Sequence, residues 1–265
     1  VGIGVAVPSP VDPADPDRLS PVVLPAWDEQ LGLEVLADSL DVPLLVDNDA
    51  NLGALAEHWW GEAGDAGDLA YIKVATGIGS GHIIGGEIYR GATGVAGEIG
   101  HMAIDPQGGP CLCGLRGCLV TLVGARALEA RASELATYHP NSRLIESTFQ
   151  VHDIENAALE GDSLALQVIR EAAEHLGTAI AGLLNLMNPA VVVLGGDLAV
   201  LGDLVLEPLR ERVQSRTLVS SVAAAEILVS ELGPRSVAVG AATLVLKTAL
   251  EDSRLFPTVE TQTKA

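Results

Sequence analysis

One long amphipathic stretch, followed at once by a fully apolar one, limits the folds open to this chain. Leu166, Ile169, Ala173, Leu176, Ile180, Leu183, Leu184 and Met187 recur at three- and four-residue steps. That is the spacing of a single helix face, and it predicts a helix over Ser163–Met187. Asp162 is placed to cap it, and Asn188-Pro189 to end it. Ala190–Leu194 then reads as an apolar strand closed by Gly195-Gly196. The same alternation recurs elsewhere. Ile3–Val7, Pro43–Val46 and Leu69–Val74 read as strands. Leu33–Leu40, Asn51–Trp60 (closed by Gly61) and Val239–Leu250 read as helices. Ser80–Ile84 and Glu87–Tyr89 read as a hairpin around Gly85-Gly86. Strands alternating with helices predict an α/β architecture. Pro10–Pro21 reads as a surface loop, and the polar tail after Leu250 as a frayed end.

Charge excludes several function classes. Lys+Arg number 15 against 35 Asp+Glu, a net charge of −20. Without a basic cluster, such a surface repels phosphate backbones and anionic membranes. No apolar run approaches the ~20 residues that a membrane helix needs. No basic start with an apolar middle marks a secretory signal. Three cysteines within eight positions make a poor disulfide framework, so a cytoplasmic location is expected. The chain opens mid-strand at Val1-Gly2-Ile3 with no Met, which leads us to expect further sequence upstream.

Four clusters could carry chemistry. His101, Cys111, Cys113 and Cys118 supply the four ligands of a closed tetrahedral zinc site, a structural role. Gly108, Gly109, Gly114 and Gly117 let the loop turn tightly enough for them to converge. The bland alternative is three reduced thiols beside an unrelated His. Asp47-Asn48-Asp49-Ala50-Asn51 follows a strand, where α/β sheets place ligands. A carboxylate there suits proton abstraction during phosphoryl transfer, but Asp and Asn are also favoured helix caps. Thr76-Gly77-Ile78-Gly79-Ser80-Gly81 and Gly195-Gly196 are glycine turns after strands. They could grip phosphate oxygens with backbone N–H groups, or be ordinary tight turns. Glu98, in Gly97-Glu98-Ile99-Gly100-His101, could orient a metal ligand or bind a polyol. The remaining histidines form no constellation, and Trp59 and Trp60 read as packing residues.

These segments resemble the ROK family of repressors and sugar kinases, from Gly2 to about Leu246. The resemblance rests on Gly4-Val5-Ala6-Val7-Pro8, Val46–Asn51 with Ala56-Glu57, Thr76–Gly81 and Tyr89-Arg90-Gly91-Ala92. Its most specific piece is Gly97–His101, ten residues before Cys111-Leu112-Cys113-Gly114 and then Gly117-Cys118. It implies an actin-like, hexokinase-type (ribonuclease H-like) fold of two α/β lobes, here without its N-terminal strands. The small lobe would be residues 1–64 with 240–265. The large lobe would be 65–239, carrying the zinc loop 101–118.

The resemblance also implies residue roles. Asp49 matches the catalytic base of the kinases. Asn48, Glu98 and His101 match sugar contacts, and His101, Cys111, Cys113 and Cys118 match zinc ligands. Thr76, Gly77 and Gly79, with Gly195 and Gly196, match the nucleotide side. Homodimers or homotetramers are implied.

Four features depart from the pattern. Val120 stands where the family carries a sugar-binding Glu, and an isopropyl group cannot pair a hydroxyl, at a cost of about 1–3 kcal/mol. Ser9 stands where Gly is common. Val22–Trp27 lacks an Asn that many of the kinases carry. The Asp-Gly-Gly-Thr phosphate loop is not in this sequence. The reading is therefore a sugar-sensing effector domain of a transcriptional regulator, reaching DNA only through a helix-turn-helix outside this chain. The alternative is an ATP- and Mg²⁺-dependent sugar kinase. A metal-braced domain that binds only proteins would leave the polar cluster around Asp49 without a use.

Overall fold

The computed structural model describes residues 2–12, 14, 39–40, 42–145, 148–217, 225–252 and 254. Most of the expected helix over Leu33–Leu40, the stretch Val22–Trp27, most of the loop Pro10–Pro21 and most of the tail lie outside them.

Two sheets organise the chain. β1 (Ile3–Val7) and β2 (Leu44–Asn48) form a parallel pair, with Val5 opposite Val46 and Val7 opposite Asn48. The second sheet contains β3 (Leu69–Val74), β4 (Ile78–Ile84), β5 (Glu87–Ile88), β6 (Val191–Gly196) and β7 (Glu226–Val229). Its order is β5-β4-β3-β6-β7. The β3–β4 and β4–β5 pairs are antiparallel, and β3–β6 and β6–β7 are parallel. The helices are α1 (Asp49–Trp60), α2 (Val120–Val123), α3 (Ala125–Leu135), α4 (Val151–Leu159), α5 (Ser163–Met187), α6 (Asp203–Arg216) and α7 (Ser236–Glu251). Among the described residues no helix is long and apolar enough to cross a membrane.

Period-two alternation sorts the central strands between two cores. Ala70, Ile72, Val74, Val192 and Leu194 pack with Leu176, Ile180 and Leu184 of α5. Leu69, Tyr71, Val191 and Val193 point the other way and pack with Ala54 of α1. Both faces are covered, which is why β6 is apolar without interruption.

The helix α5 runs as its periodicity predicts. The Asp162 carboxylate accepts from the backbone N–H of Leu164 and Ala165, and Asn188 closes the end in the left-handed conformation, φ 47°. Other boundaries move. β2 runs on to Asn48 and α1 starts at Asp49, because the Asn48 side chain accepts from Ala50 and Asn51 N–H and so is the cap. β4 begins at Ile78, paired with Val74, so Gly79 and Gly81 are strand residues. Gly195 and Gly196 are the last residues of β6, paired with Lys73 and Val74.

The helix α1 lies unusually close to the sheet. A Cβ on Gly81 would sit 2.2 Å from the Ala50 carbonyl oxygen, so only glycine allows this approach. On its other side, Gly240 of α7 meets the Leu52 carbonyl in the same way, at 1.8 Å from a built Cβ. Trp60 is exposed rather than packed, and its Nε1 donates to Thr243 Oγ1 at 2.8 Å, tying α1 to α7.

Candidate functional site

The Asp47-Asn48-Asp49 run straddles the junction of β2 and α1, and each residue does a different job. Asn48 caps the helix, with Oδ1 2.9 Å from Ala50 N, while its Nδ2 donates to the Ser9 carbonyl at 3.1 Å. Asp47 is 1% exposed. Its Oδ1 accepts from Asn48 N at 2.7 Å and from Asn51 Nδ2 at 3.0 Å. Its Oδ2 accepts from Arg90 Nε at 2.9 Å and also from Nη2 of the same guanidinium. That leaves Asp49 free of capping. It sits in the first helical turn, where the helix end favours a negative charge. Its Oδ2 accepts from Lys73 Nζ at 2.7 Å.

Glu98 reaches the same region from the turn after β5. Gly97 before it takes φ +94°, and a built Cβ would lie 1.9 Å from the Ser80 carbonyl. The Gly97 carbonyl accepts from Ser80 N and from Ser80 Oγ, both at 2.9 Å. The Ser80 hydroxyl also meets His82 Nε2 at 3.0 Å. With the hydroxyl proton committed to Gly97, the imidazole is the donor to Ser80. β4 therefore holds the Glu98 turn in place. Burial pushes the Glu98 carboxyl above its ordinary range; the His101 ring pulls it back and the Asp49 carboxylate pushes it up further. Glu98 and Asp49 thus share one electrostatic neighbourhood. Glu98 Oε2 lies 3.7 Å from His101 Nε2.

His101 turns its other nitrogen to the cysteines. Nδ1 lies 3.5 Å from Cys111 Sγ, and the Cys113 and Cys118 sulfurs are 3.6 Å apart. The four ligand atoms lie within 4.8 Å of one another. A tetrahedral site with Zn–S near 2.3 Å and Zn–N near 2.05 Å has S–S edges of about 3.8 Å and N–S edges of about 3.6 Å. The 3.5 and 3.6 Å separations match those edges, so this group can hold a metal ion. The loop closes through bridges between Ala103 and Cys118 and between Pro110 and Arg116. One imidazole thus joins the cysteine loop to Glu98.

The glycine segments meet at the C-terminal ends of two central strands, because β3 and β6 are parallel neighbours. Their glycines have different causes. Gly79 backs onto Ala50 Cβ, a Cβ on Gly195 would strike the Tyr71 ring, and Gly196 takes φ +86° against the Val74 backbone. A Cβ on Gly77 would meet nothing within 4 Å. Gly77, beside Thr76, and Gly79, whose Cβ would make an ordinary contact at 3.4 Å, lack a packing reason to be glycine. The adjoining depression is lined by Ala75, Val123, Leu198, Glu155 and Asp197 among others, and by no Lys or Arg. Burial pushes the Glu155 carboxyl up, and the Asp197 carboxylate adds to the shift. Val120 opens α2 two residues after Cys118 and packs against the main core.

Sequence reasoning gave no role to Lys73 or Arg90, the two cations that hold the aspartates. Lys73 left a signal, as the one charged residue in the strand Leu-Ala-Tyr-Ile-Lys-Val. Arg90 left none beyond its place in a quoted motif.

The sequence model of the ROK family matches residues 1–248. The xylose repressor of Caldicellulosiruptor bescii is 35% identical over 254 residues, covering 93% of this chain and 62% of the repressor. The ROK family glucokinase from Streptomyces griseus, solved with glucose and AMPPNP, superposes with a TM-score of 0.81 at 31% identity, covering 92% of this chain and 80% of the kinase. A ROK family transcriptional regulator homologous to the Escherichia coli MLC protein also gives a TM-score of 0.81, at 28% identity, covering 96% of this chain and 64% of the regulator. The chain thus spans under two thirds of the length of these repressors. The mixed α/β fold is that of these kinases and regulators, the actin-like, hexokinase type, and the chain belongs to the ROK family.

Proposed function

We propose that the chain is the sugar-sensing domain of a ROK-family transcriptional regulator. In this reading residues 1–64 with 240–265 and residues 65–239 are two lobes that close on a sugar. Asn48, Asp49, Glu98 and His101 accept and donate hydrogen bonds to its hydroxyls. Closure changes the geometry of a homodimer or homotetramer, and so the DNA affinity of a helix-turn-helix outside this chain. His101, Cys111, Cys113 and Cys118 would hold Zn²⁺, which braces the loop and fixes the His101 ring without taking part in chemistry. The protein works in the cytoplasm.

The observation that carries sensing over catalysis is Val120, which opens α2 two residues after Cys118 and packs against the main core. It stands where the family pattern carries a sugar-binding Glu. Its isopropyl group leaves one sugar hydroxyl of that pattern unpaired, so the sugar is held less firmly than phosphoryl transfer requires.

The kinase reading keeps one specific support, the open Thr76-Gly77 turn beside Asp49. There Thr76, Gly77, Gly79, Gly195 and Gly196 would hold ATP with Mg²⁺, and Asp49 would accept the hydroxyl proton. The test is calorimetry of the full protein with glucose, xylose and N-acetylglucosamine, run beside an assay of sugar-dependent ADP release. Binding without turnover is expected. Sustained turnover with any of these sugars sinks the sensing reading in favour of the kinase.

A further inference from the structure

We propose that Lys73 makes Asp49 a hydroxyl-binding group rather than a proton-abstracting one. This deepens the sugar-sensing reading and rests on it. Alternation along β3 puts Lys73 on the same face as Leu69 and Tyr71, the face that α1 covers. Its in-register neighbours on both sides are glycines, Gly79 on β4 and Gly195 on β6. No flanking side chain competes for the ammonium, which reaches the end of α1 and meets Asp49 Oδ2 at 2.7 Å. The two side chains are 25% and 16% exposed, so water screens the pair only in part.

The charges around Asp49 leave Lys73 one assignment. Asp47 is already matched by Arg90. Glu98 faces His101 at 3.7 Å. Asp49 is the remaining carboxylate, and Lys73 supplies its cation. A general base must receive a proton as the O–H bond breaks. Protonating Asp49 would discharge the anion that Lys73 holds, leaving the ammonium beside a neutral acid. A carboxylate fixed in this way still accepts a hydrogen bond at Oδ1, where nothing else donates among the described residues. The contact with Lys73 orients it for binding. Lys73 is in this sense a positioning residue for the sugar.

The experiment is calorimetric titration of the full protein with glucose, xylose and N-acetylglucosamine. The variants are Lys73→Met, Lys73→Gln, Lys73→Arg, Asp49→Asn and the Lys73→Met/Asp49→Asn double, each checked for folding by its melting temperature. Lys73→Met is expected to weaken the bound sugar about 10-fold, and Lys73→Arg to stay within about 3-fold of the unaltered protein. Asp49→Asn weakens binding, and the double variant binds no more weakly than Asp49→Asn alone, because the two residues act as one unit. Lys73→Gln, which keeps a donor but no charge, gives the same loss if Lys73→Met does not fold. Two results overturn the proposal and leave the sugar-sensing reading standing: unchanged binding on loss of the charge, and losses that multiply in the double variant. Sugar-dependent ADP release by the unaltered protein overturns both. If the unaltered protein binds none of the three sugars, the sugar reading falls and takes this one with it.

Discussion

Arg90→Met would leave a buried carboxylate without its cation, and the structure sets the size of the effect. Asp47 is 1% exposed, and both of its oxygens are engaged. Removing one partner of a buried ion pair costs about 3–5 kcal/mol, most of it the charge left behind. Arg90 keeps 28% side-chain exposure, so water can enter beside Asp47, and the expected cost falls to about 2–3 kcal/mol. For a chain of this size each kcal/mol moves the melting temperature by about 2–4 °C, so a fall of about 5–10 °C is expected by calorimetry at neutral pH. Asp47→Asn should cost less, because a released guanidinium can turn to solvent. Adding Arg90→Met to Asp47→Asn should then cost under about 1 kcal/mol, since the charge that needed Arg90 is gone. A shift below about 2 °C for Arg90→Met, or simple additivity in the double variant, would refute the claim that this pair is buried and coupled.

Three further outcomes follow from the same geometry. Elemental analysis should find about one zinc per chain, and stripping it with a chelator should lower the melting temperature and release the fixed His101 ring; purified protein with little or no zinc defeats the structural-zinc assignment. Gly81→Ala should destabilise by about 1–3 kcal/mol through collision with the Ala50 carbonyl. Gly77→Ala, whose Cβ meets nothing, should leave the melting temperature unchanged, and equal losses for the two would count against the packing argument. Burial holds the His82 imidazole down at about 4 against an ordinary 6.5. The unfolded chain therefore binds a proton first as pH falls. The His82 contribution is complete above about pH 6.5 and is lost towards about pH 4, a change of about 3 kcal/mol. His82→Gln should flatten the stability profile across that window, and an unchanged slope would remove His82 as its source.

Much of this molecule was legible in the linear chain, and the legible parts share a property: their constraints are local. The ends of α5 follow from Asp162, from apolar steps of three and four, and from Asn188-Pro189. The cysteine loop was legible because its four ligands lie within one short, glycine-rich stretch. The order of strands and helices followed from the alternation itself. What the sequence left open at Asp47–Asn51 was which residue capped the helix and which was free for chemistry. Only the tertiary structure assigns capping to Asn48 and pairs Asp49 with Lys73.

The sequence by itself determined the α/β class, the long helix, the His/Cys group that can hold a metal and the family pattern, because each is written in neighbouring residues. Tertiary structure decided the pairing of charges. Lys73 lies 24 positions from Asp49, and Arg90 lies 43 from Asp47. Those partnerships depend on strand register and on how closely α1 approaches the sheet, neither of which a local pattern encodes. It also decided what the glycines are for. A missing Cβ looks the same in sequence whether it opens room for a phosphate or for a passing helix. At Gly81 and Gly195 protein fills the space a Cβ would need, and at Gly77 there is open space.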